Sequence, residues 1–352
     1  MPLISVVIPC FRSGVFLKDA IESVLAQTET DWELILVDNN ASPETRAITD
    51  LYSQNYPSRI RIVHEPLQGV TFARNRGILE SRGRYIALLD DDDMMYPDRL
   101  KLQRDAIEAH PETSIVYGLI DKVSLDNATV LEQDTRNTAP EWARKIFPGM
   151  SGLVFLLPSV MFFEKKPALE KRMFDLHFSP CYMEDDDLSV RMFFEGPFVC
   201  IPEPIIRFRV PSKEFLYEKR KNIVFWTRNL INQDYFFHKL KNLCMLHRDV
   251  CDPGGFRYLK SQWLREASSP FFSYEKGVAL GRFLLQKSLR TRPLDLKSWK
   301  MLIRSYFPSR LRKRYFRSEI FSDDPLPEQM DRKFLDNLFG DFHDCPYCQK
   351  GQ

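Results

Sequence analysis

A chain of 352 residues with 44% hydrophobic and 28% charged residues can bury one large core or two smaller ones, which excludes an intrinsically disordered protein. Its formal net charge of +2 argues against a dedicated nucleic-acid-binding protein. Seven cysteines, an odd number, are typical of reduced thiols, and the first residues show no positively charged leader, so a cytoplasmic protein is expected.

Short apolar runs alternate with helical patterns over the first 121 residues. Strands are predicted at 3–9, 33–37, 60–64, 84–89 and 114–120, and helices at 15–27, 70–82 and 97–109. The strand segments are rich in Val and Ile and almost continuously apolar, as strands covered on both faces are. This alternation predicts an α/β fold in which a mostly parallel sheet carries helices on both faces.

Polar side chains follow three of these strands directly. They are Pro9-Cys10-Phe11 after the first strand, Asp38-Asn39-Asn40 after the second and Asp90 to Asp93 after the fourth. In open α/β sheets, ligands bind in the crevice beyond the carboxyl ends of the strands. The three clusters are therefore expected to line one ligand-binding crevice.

The four adjacent aspartates are the strongest of these signals. On extended backbone, Asp90 and Asp92 point to one side of the strand, and Asp91 and Asp93 point to the other. Carboxylate oxygens in this number suit Mg²⁺ or Mn²⁺, which complete their coordination with water and substrate phosphates. The alternative is a solvated acidic loop, in which Asp93 favours the N-terminus of the helix that begins near Pro97.

The chain beyond residue 121 has a weaker pattern. Residues 122–150 are polar and loop-rich, residues 152–163 form a further apolar run, and residues 198–209 predict a pair of short strands around Pro202 and Pro204. A second acidic cluster, YMEDDDLSVR at 182–191, precedes a short amphipathic helix. Asp185 at the start of this helix can act as a general base if it is partly desolvated, or it can simply favour the helix N-terminus.

The C-terminal third changes in composition. It is predicted to be helical, and its residues 290–317 carry ten Lys or Arg with interleaved aromatic residues against one acidic residue. Such a stretch can lie at an anionic lipid surface; alternatively, it packs on the rest of the chain or pairs with the acidic residues 318–344. Cys345 and Cys348 form a single CxxC, which lacks the second pair of a closed zinc site, so a loose tail is expected.

Five motifs now stand in a recognisable order. SVVIPCF, LVDNNASPET, GVTFARNRGI, ALLDDDDMMYPDRL and MEDDDLSVR resemble the family 2 glycosyltransferases of the GT-A fold over residues 3–210. The resemblance implies a Rossmann-like GT-A sheet, here with a C-terminal helical extension. It also implies an inverting enzyme that holds a nucleoside-diphosphate sugar through Mn²⁺ or Mg²⁺, while one carboxylate takes the proton from an acceptor hydroxyl.

The resemblance also assigns roles to individual residues. Asp90 and Asp92 match the D-x-D pair that holds the cation, with Asp92 as the direct ligand, and Asp185 matches the catalytic base. Asp91 is expected near the ribose or the donor sugar. The remaining matches are Pro9, Asp38 and Asn39 at the nucleoside, Arg74 and Asn75 near the diphosphate, and Glu184 and Arg191 beside the base.

Two positions depart from the family pattern. Asn39 stands where the family often has a second aspartate that contacts the nucleotide base, and an amide can donate as well as accept a hydrogen bond. Phe208-Arg209-Val210-Pro211 stands where the family often has a tyrosine, an arginine and, two residues later, a histidine. The identity of the base and the role of that histidine are therefore not carried over.

These observations predict a metal-dependent, inverting glycosyltransferase that moves a sugar, expected to be UDP-linked, to a hydroxyl of a glycan or lipid-linked acceptor in cell-surface polysaccharide synthesis. It would work in the cytoplasm or at the inner face of the cell membrane. The predicted domains are a catalytic domain at 1–212, with a donor half at 1–121 and an acceptor half at 122–212, a helical extension at 213–317 and an acidic tail at 318–352.

Two other functions are compatible with parts of the sequence. A nucleotidyltransferase on a similar sheet would need a glycine-rich basic loop after the first strand, where only Gly14 stands nearby. A non-catalytic sugar- or cation-binding module would use the acidic residues but would not need Asp185 for its activity. Removal of Asp185 therefore separates the second alternative from an enzyme.

Overall fold

The structure, a computed structural model, describes residues 2–127, 129–134, 141–148, 153–179, 183–210, 223–252, 254–272 and 277–307. The chain divides into two compact units, one from 1–139 and 152–210 and the other from 140–151 and the residues after 210. The predicted acidic tail at 318–352, the Cys345 and Cys348 pair, and the basic stretch beyond residue 307 lie outside the described residues.

The first unit is built on one sheet, to which the described residues contribute nine strands. They are β1 (Ile4–Cys10), β2 (Trp32–Asp38), β3 (Ile60–His64), β4 (Tyr85–Leu88), β5 (Met94–Met95), β6 (Ile115–Val123), β7 (Val130–Asp134), β8 (Phe162–Glu164) and β9 (Phe198–Arg209). The order across the sheet is β3-β2-β1-β4-β8-β6-β9-β5, with β7 paired to β6. All five strands predicted in the first 121 residues are present.

The strands from the first 90 residues form the parallel part of the sheet. β1 pairs in parallel with both β2 and β4, and β2 pairs in parallel with β3. Every residue of β1 is buried, and because successive side chains point to opposite faces, this strand is covered on both sides. The carboxyl ends of β1, β2 and β4 consequently open onto the same edge of the sheet.

The other half of the sheet is mixed, which the prediction of a mostly parallel sheet did not anticipate. β8 is antiparallel to both β4 and β6, and β5 is antiparallel to β9, whereas β6 and β9 are parallel. The prediction of two short strands at 198–209 is wrong, because β9 is one strand. Its pairing with β6 shifts register near Pro204, since proline has no N–H to donate to the ladder.

Six helices in the described part of the first unit connect these strands. They are α1 (Phe16–Leu25), α2 (Pro43–Asn55), α3 (Val70–Glu80), α4 (Arg99–Ala109), α6 (Lys165–Glu170) and α7 (Glu184–Phe193). Gly77 allows α3 to approach β1 closely, because a Cβ at this position would lie 2.2 Å from the Val7 side chain. Helix α2 was missed from the sequence, although Ser42 caps it by accepting the Thr45 N–H and Pro43 follows as its first residue, a typical start signal.

The second unit is helical. Its described helices are α5 (Glu141–Ile146), α8 (Ile223–Leu246), α9 (Gly255–Ser268), α10 (Val278–Thr291) and α11 (Leu296–Ser305). Phe272, Val278 and Leu285 form an apolar cluster against which Met301 and Leu302 of α11 pack. None of the described helices combines the length and the apolar character that crossing a membrane requires.

Candidate active site

The aspartate quartet lies in a turn beyond the end of β4. The strand ends at Leu88, and the N–H of Asp93 donates a hydrogen bond to the carbonyl oxygen of Asp90 (3.2 Å). The prediction that these residues continue the extended strand is therefore wrong. A turn sends the four carboxylates in separate directions, so that each one meets a different environment.

Two of the carboxylates are held by groups from the first 75 residues. The Asp90 carboxylate accepts a hydrogen bond from the Arg74 guanidinium (2.7 Å), and the Asp91 carboxylate accepts the backbone N–H of Phe11 (3.1 Å). Burial raises the pKa of Asp91 to about 6, although the Phe11 N–H acts in the opposite direction. Asp91 thereby fixes the loop that follows β1 against the acidic turn.

Arg209, at the end of β9, anchors the other half of the turn. Its backbone N–H donates to the Asp93 carboxylate (3.2 Å) and its guanidinium donates to the carbonyl oxygen of Asp92 (2.8 Å). The same guanidinium pairs with Asp19 and is almost fully buried. Burial raises the pKa of Asp93 well above its ordinary value. Arg209 thus holds the turn in place without using the Asp92 carboxylate.

The carboxylate of Asp92 lies close to other negatively charged side chains. Burial, followed by the charges of Asp90 and Asp91, raises its pKa to about 7, and Arg209 offsets this only in part. A carboxylate in this position is stabilised in its ionised form by a nearby cation. Asp92 is therefore the member of the quartet best suited to bind a cation that arrives with the substrate.

The second acidic cluster occupies the first turn of α7. Glu184, Asp185, Asp186 and Asp187 all lie there, and Leu188 and Met192 are buried as the amphipathic pattern predicted. Met183, immediately before the helix, has a left-handed backbone with φ of 71°. This conformation is strained for a residue with a side chain, and such strain is concentrated at functional sites.

Arg74, from α3, brings the two acidic clusters together. Its guanidinium donates to Asp90 (2.7 Å) through one terminal nitrogen and to Glu184 (3.1 Å) through the other. Burial lowers the pKa of Arg74, but Asp90, Glu184 and Asp185 more than offset this and keep it above its usual range. The acidic turn after β4 and the N-terminus of α7 therefore share one site, although about 90 residues separate them in the sequence.

Asp185 lies beside this ion-pair bridge with a strongly shifted pKa. Burial, and then the charge of Glu184, raise the pKa of Asp185 to about 7, while Arg74 and the Asp186 N–H lower it. The Asp186 N–H donates to one Asp185 oxygen (2.9 Å). A carboxyl group with a pKa near neutrality is suited to accept and release a proton at physiological pH.

Two further predicted residues, Asn75 and Arg191, hold a loop beside Arg74. Asn75 exchanges two hydrogen bonds with the backbone of Phe174 (2.8 and 3.0 Å), and the Phe174 ring lies 5.4 Å from the Arg74 guanidinium. Arg191 pairs with Asp187 (2.8 Å) and donates to the carbonyl oxygens of residues 171 and 173. Both side chains are used within the protein, where they position the loop that supports Arg74.

The predicted nucleoside contacts are also engaged with the protein. Asn39 is 3% exposed; its amide nitrogen donates to the carbonyl oxygens of Glu65 and Leu67, and its oxygen accepts from Gln68 and Gly69. All four hydrogen-bonding positions of this amide are therefore used. Asn39 holds the 65–69 loop in place.

Asp38 and Pro9 lie at the same edge of the sheet. The Asp38 carboxylate accepts the Ala41 N–H (2.8 Å) and pairs with Arg46 (3.0 Å). Pro9 is a residue of β1 opposite Val37, so the loop after this strand begins later than predicted, at Phe11. The structure thus brings the nucleoside motifs to the predicted edge but gives their side chains structural partners.

The donor set can be tested against a divalent cation. In the part of the chain that the structure describes, no three His, Cys, Asp or Glu side chains come together as a ready-made metal site. The chemistry of Asp92 nevertheless fits, because its half-buried carboxylate is crowded by Asp90 and Asp91. Mg²⁺ and Mn²⁺ commonly use one or two carboxylates and take their other ligands from water and substrate phosphates.

Sequence reasoning missed two arginines that support the acidic turn. Arg209 belongs to a motif that lacks the family's histidine, and nothing in that motif indicates its role in the turn. Arg99 is fully buried and donates to the carbonyl oxygen of Leu88 (3.0 Å), and burial lowers its pKa to about 9. One feature of the sequence could have indicated both roles: each arginine lies within an apolar strand or on the inner face of a helix. Arginines at such positions are almost never buried without a partner.

Comparison with known proteins agrees with this geometry. Residues 5–170 match the model of glycosyl transferase family 2. These residues, a little under half of the chain, are thus similar to the family 2 glycosyltransferases. The motif that contains Asp185 lies just beyond the matched residues, and Arg74 joins it to them through Glu184.

Two curated relatives are similar to parts of this chain. RP339, an uncharacterized glycosyltransferase of Rickettsia prowazekii, is 28% identical over 221 residues, which cover 60% of this chain and 65% of RP339. TuaG of Bacillus subtilis, a glycosyltransferase assigned by its name to teichuronic acid biosynthesis, is 37% identical over 103 residues, which cover 29% of this chain and 40% of TuaG. The chain therefore spans less than two thirds of the length of either relative.

A solved structure shows the same fold as this chain. The 1–349 fragment of S. aureus TarS, in complex with UDP, superimposes with a TM-score of 0.51 and 16% identity, covering 87% of this chain and 91% of that one. At this identity the likeness concerns the fold alone. It confirms the predicted GT-A fold with C-terminal helices.

Proposed function

We propose that the chain is an inverting glycosyltransferase that moves a sugar from a nucleoside-diphosphate donor to an acceptor hydroxyl. The observation that supports this most strongly is the Arg74 bridge between Asp90 and Glu184. This bridge joins two carboxylate clusters. The first is suited to bind a cation together with a diphosphate, and the second contains a proton acceptor. These are the two functions that such a transfer requires.

The donor half of the reaction depends on the acidic turn. Mn²⁺ or Mg²⁺ would be held by Asp92 and Asp90, and when bound would neutralise the negative charge that develops on the departing diphosphate. Arg74 adds a fixed positive charge on the same side, which favours the diphosphate. Arg209 and the Phe11 N–H keep the turn in one conformation, so that little reorganisation is needed when the donor binds.

The acceptor half depends on Asp185. With a pKa of about 7, its carboxylate is ionised in most molecules above neutral pH and can take the proton from the attacking hydroxyl. Attack from the face opposite the leaving diphosphate inverts the configuration at the sugar carbon. Glu184 contributes indirectly, because its negative charge helps to raise the pKa of Asp185.

The donor and acceptor classes are proposed from the relatives. TarS has been crystallised with UDP and with UDP-GlcNAc, and we infer a UDP sugar as the donor. TuaG is assigned to teichuronic acid biosynthesis, and we infer a cell-surface polysaccharide or a lipid-linked precursor as the acceptor. The site of action would then be the cytoplasm, at the inner face of the cell membrane.

Binding and turnover of nucleotide sugars test this proposal directly. UDP sugars should raise the melting temperature in the presence of Mn²⁺, since a ligand that binds only the folded state stabilises it. Asp185→Asn should retain this shift and lose transfer, whereas Asp92→Asn should lose the metal-dependent part of the shift. If Asp185→Asn transferred sugar normally, or if no nucleotide sugar shifted the melting temperature with or without metal, the proposal would be wrong.

A further inference from the structure

The second unit contains a cavity that the proposed reaction does not use. Its volume is about 660 Å³, and it is formed by the end of α5, the start of α9 and the segment between α10 and α11. Four cationic side chains line it, namely Arg144, Lys145, Arg257 and Arg292. Two acidic residues also line it, Asp252 and Asp295, so positive charge predominates.

Two of the three acidic groups around this basic cavity are paired with a cation, and the third accepts a backbone hydrogen bond. Asp295 is paired with Arg265 (2.7 Å), the Asp252 carboxylate accepts the Gly254 N–H (2.8 Å), and Glu141 pairs with Lys145 (3.2 Å). In the part of the chain that the structure describes, the three arginines of the cavity have no carboxylate within ion-pair distance. Three guanidinium groups are thus available to a ligand.

Tyr258 gives the cavity an ordered wall. Lys145 lies 4.0 Å and the Arg292 guanidinium 4.8 Å from the centre of its ring. Cations held over an aromatic face keep their positions while their N–H groups remain able to donate hydrogen bonds. Because guanidinium groups bind phosphate through paired N–H donors, this arrangement suits a phosphate ester.

A stripe of exposed apolar side chains begins at the rim of the basic cavity. Leu294 lines the cavity and is 92% exposed, and Leu296, Trp299 and Ile303 of α11 are 80%, 46% and 59% exposed. The spacing of the last three places them on one face of the helix. Lys297 and Lys300, which neighbour this stripe, are exposed too.

The opposite face of α11 is fixed to the protein. Ser298 and Ser305 are fully buried; Ser298 shares hydrogen bonds with Asp295 and Ser288, and Arg282 donates to the carbonyl oxygen of Ser305 (2.8 Å). The helix cannot rotate its apolar stripe inward without breaking these bonds. The serine face of α11 is therefore the one that packs on the unit, and the apolar stripe is on the exposed face.

We propose that the basic cavity and the apolar stripe form one binding surface for an anionic phospholipid bilayer. The cavity would hold the phosphate of a lipid headgroup, and the stripe would lie at the boundary between the headgroups and the acyl chains. This function does not depend on glycosyl transfer. A soluble phosphate ester would account for the cations but not for the exposed leucines, and a second copy of the chain would bring like charges together.

Vesicle binding by the full chain tests the surface. Binding is measured by co-sedimentation with vesicles of phosphatidylcholine alone and with vesicles containing about 30% phosphatidylglycerol, at about 0.15 M salt. We expect binding to the anionic vesicles only. Replacing Arg257 and Arg292 by Gln should weaken it about 30-fold, since each basic group near the surface contributes about fivefold.

Matched variants separate the cavity from net charge. Lys101→Gln with Arg248→Gln removes the same charge from exposed positions outside the cavity and should change vesicle binding by less than about threefold. Leu296→Gln should weaken binding to anionic vesicles without altering the melting temperature, because its side chain is already exposed. Release of nucleoside diphosphate from a soluble donor should be unchanged in all of these variants.

Three outcomes would overturn the proposal. If the cavity variant and the charge-matched control lost the same amount of vesicle binding, the binding would depend on net charge alone and not on the cavity. Saturable binding of glycerol phosphate with no preference for anionic vesicles would assign the cavity to a soluble phosphate ester. Failure of the full chain to bind any vesicle, whether because the acidic residues 318–344 or a second copy cover the surface, would also reject it.

Discussion

Replacing Asp185 by Asn should abolish sugar transfer and, at the same time, stabilise the protein above neutral pH. Asn has the same shape as Asp and can still accept the Asp186 N–H (2.9 Å), so the start of α7 is expected to keep its structure. The substitution removes a negative charge, which burial and the nearby charge of Glu184 make unfavourable. The stability gain and the activity loss therefore have the same physical origin.

The magnitude follows from the shift in pKa. Asp185 has a pKa of about 7 in the folded protein against an ordinary value of 3.8. Because its folded pKa is raised, its proton stabilises the native state fully below pH 3.8, and this contribution is lost as the pH rises to about 7. At about 1.4 kcal/mol per pH unit, the advantage of Asn over Asp should be about 2 kcal/mol at pH 5 and at most about 4 kcal/mol at pH 8.

Urea unfolding of both proteins at these two pH values measures the effect, without added metal. Asp187→Asn is the matched control, because Asp187 is 1% exposed and paired with Arg191. Removing that charge should destabilise the protein by about 3 kcal/mol, since it leaves the largely buried Arg191 guanidinium without a carboxylate. An Asp185→Asn protein that is no more stable than the parent at pH 8, or whose advantage does not grow with pH, would refute the account of Asp185.

Three more predictions concern the residues around it. Arg74→Lys keeps the charge, but a lysine cannot reach both Asp90 and Glu184, so kcat/KM for the donor should fall about 100-fold or more. Arg74→Met should lower kcat/KM further. Unchanged steady-state kinetics in either variant would contradict the bridging role of Arg74. Arg209→Met should raise the Mn²⁺ concentration needed for half-maximal transfer, because the acidic turn loses its anchor. Arg46→Met, at the edge of the sheet, should leave this concentration unchanged. Metal titrations of both variants measure the difference. Asn39→Ala should lower the free energy of unfolding by about 2–4 kcal/mol, since four hydrogen bonds of a buried amide are lost, and should leave the preference for the nucleotide base unchanged in competition assays.

The five core strands and three of the helices were predictable because each is a local pattern. Apolar runs of five to seven residues that are rich in Val, Ile and Leu, such as LISVVIP and ELILV, are typical of a strand that is covered on both faces. The mixed half of the sheet was not predictable, because β8 and β9 pair with partners from distant parts of the chain. Strand direction in such pairs depends on the path of the connecting segments, which short patterns do not contain.

The candidate site shows the same division. The acidic clusters that contain Asp92 and Asp185 could be anticipated at a strand end and a helix start, and the roles proposed for these two residues come from the family resemblance. The hydrogen bonds of Asn39 and Asn75 to backbone groups could not be anticipated. An asparagine that binds a ligand and one that holds a loop look the same in the sequence. The supporting roles of Arg99 and Arg209 were equally hidden.

The sequence alone determined the alternating α/β class, the positions of the acidic clusters and the type of chemistry that carboxylates can perform there. The tertiary structure decided that the clusters share one site, since Arg74 reaches Asp90 and Glu184 only after α3 packs on β1 through Gly77. It also decided which carboxylates carry shifted pKa values. Burial and the distances between charges are properties of the folded chain, and no segment has them until the rest of the protein surrounds it.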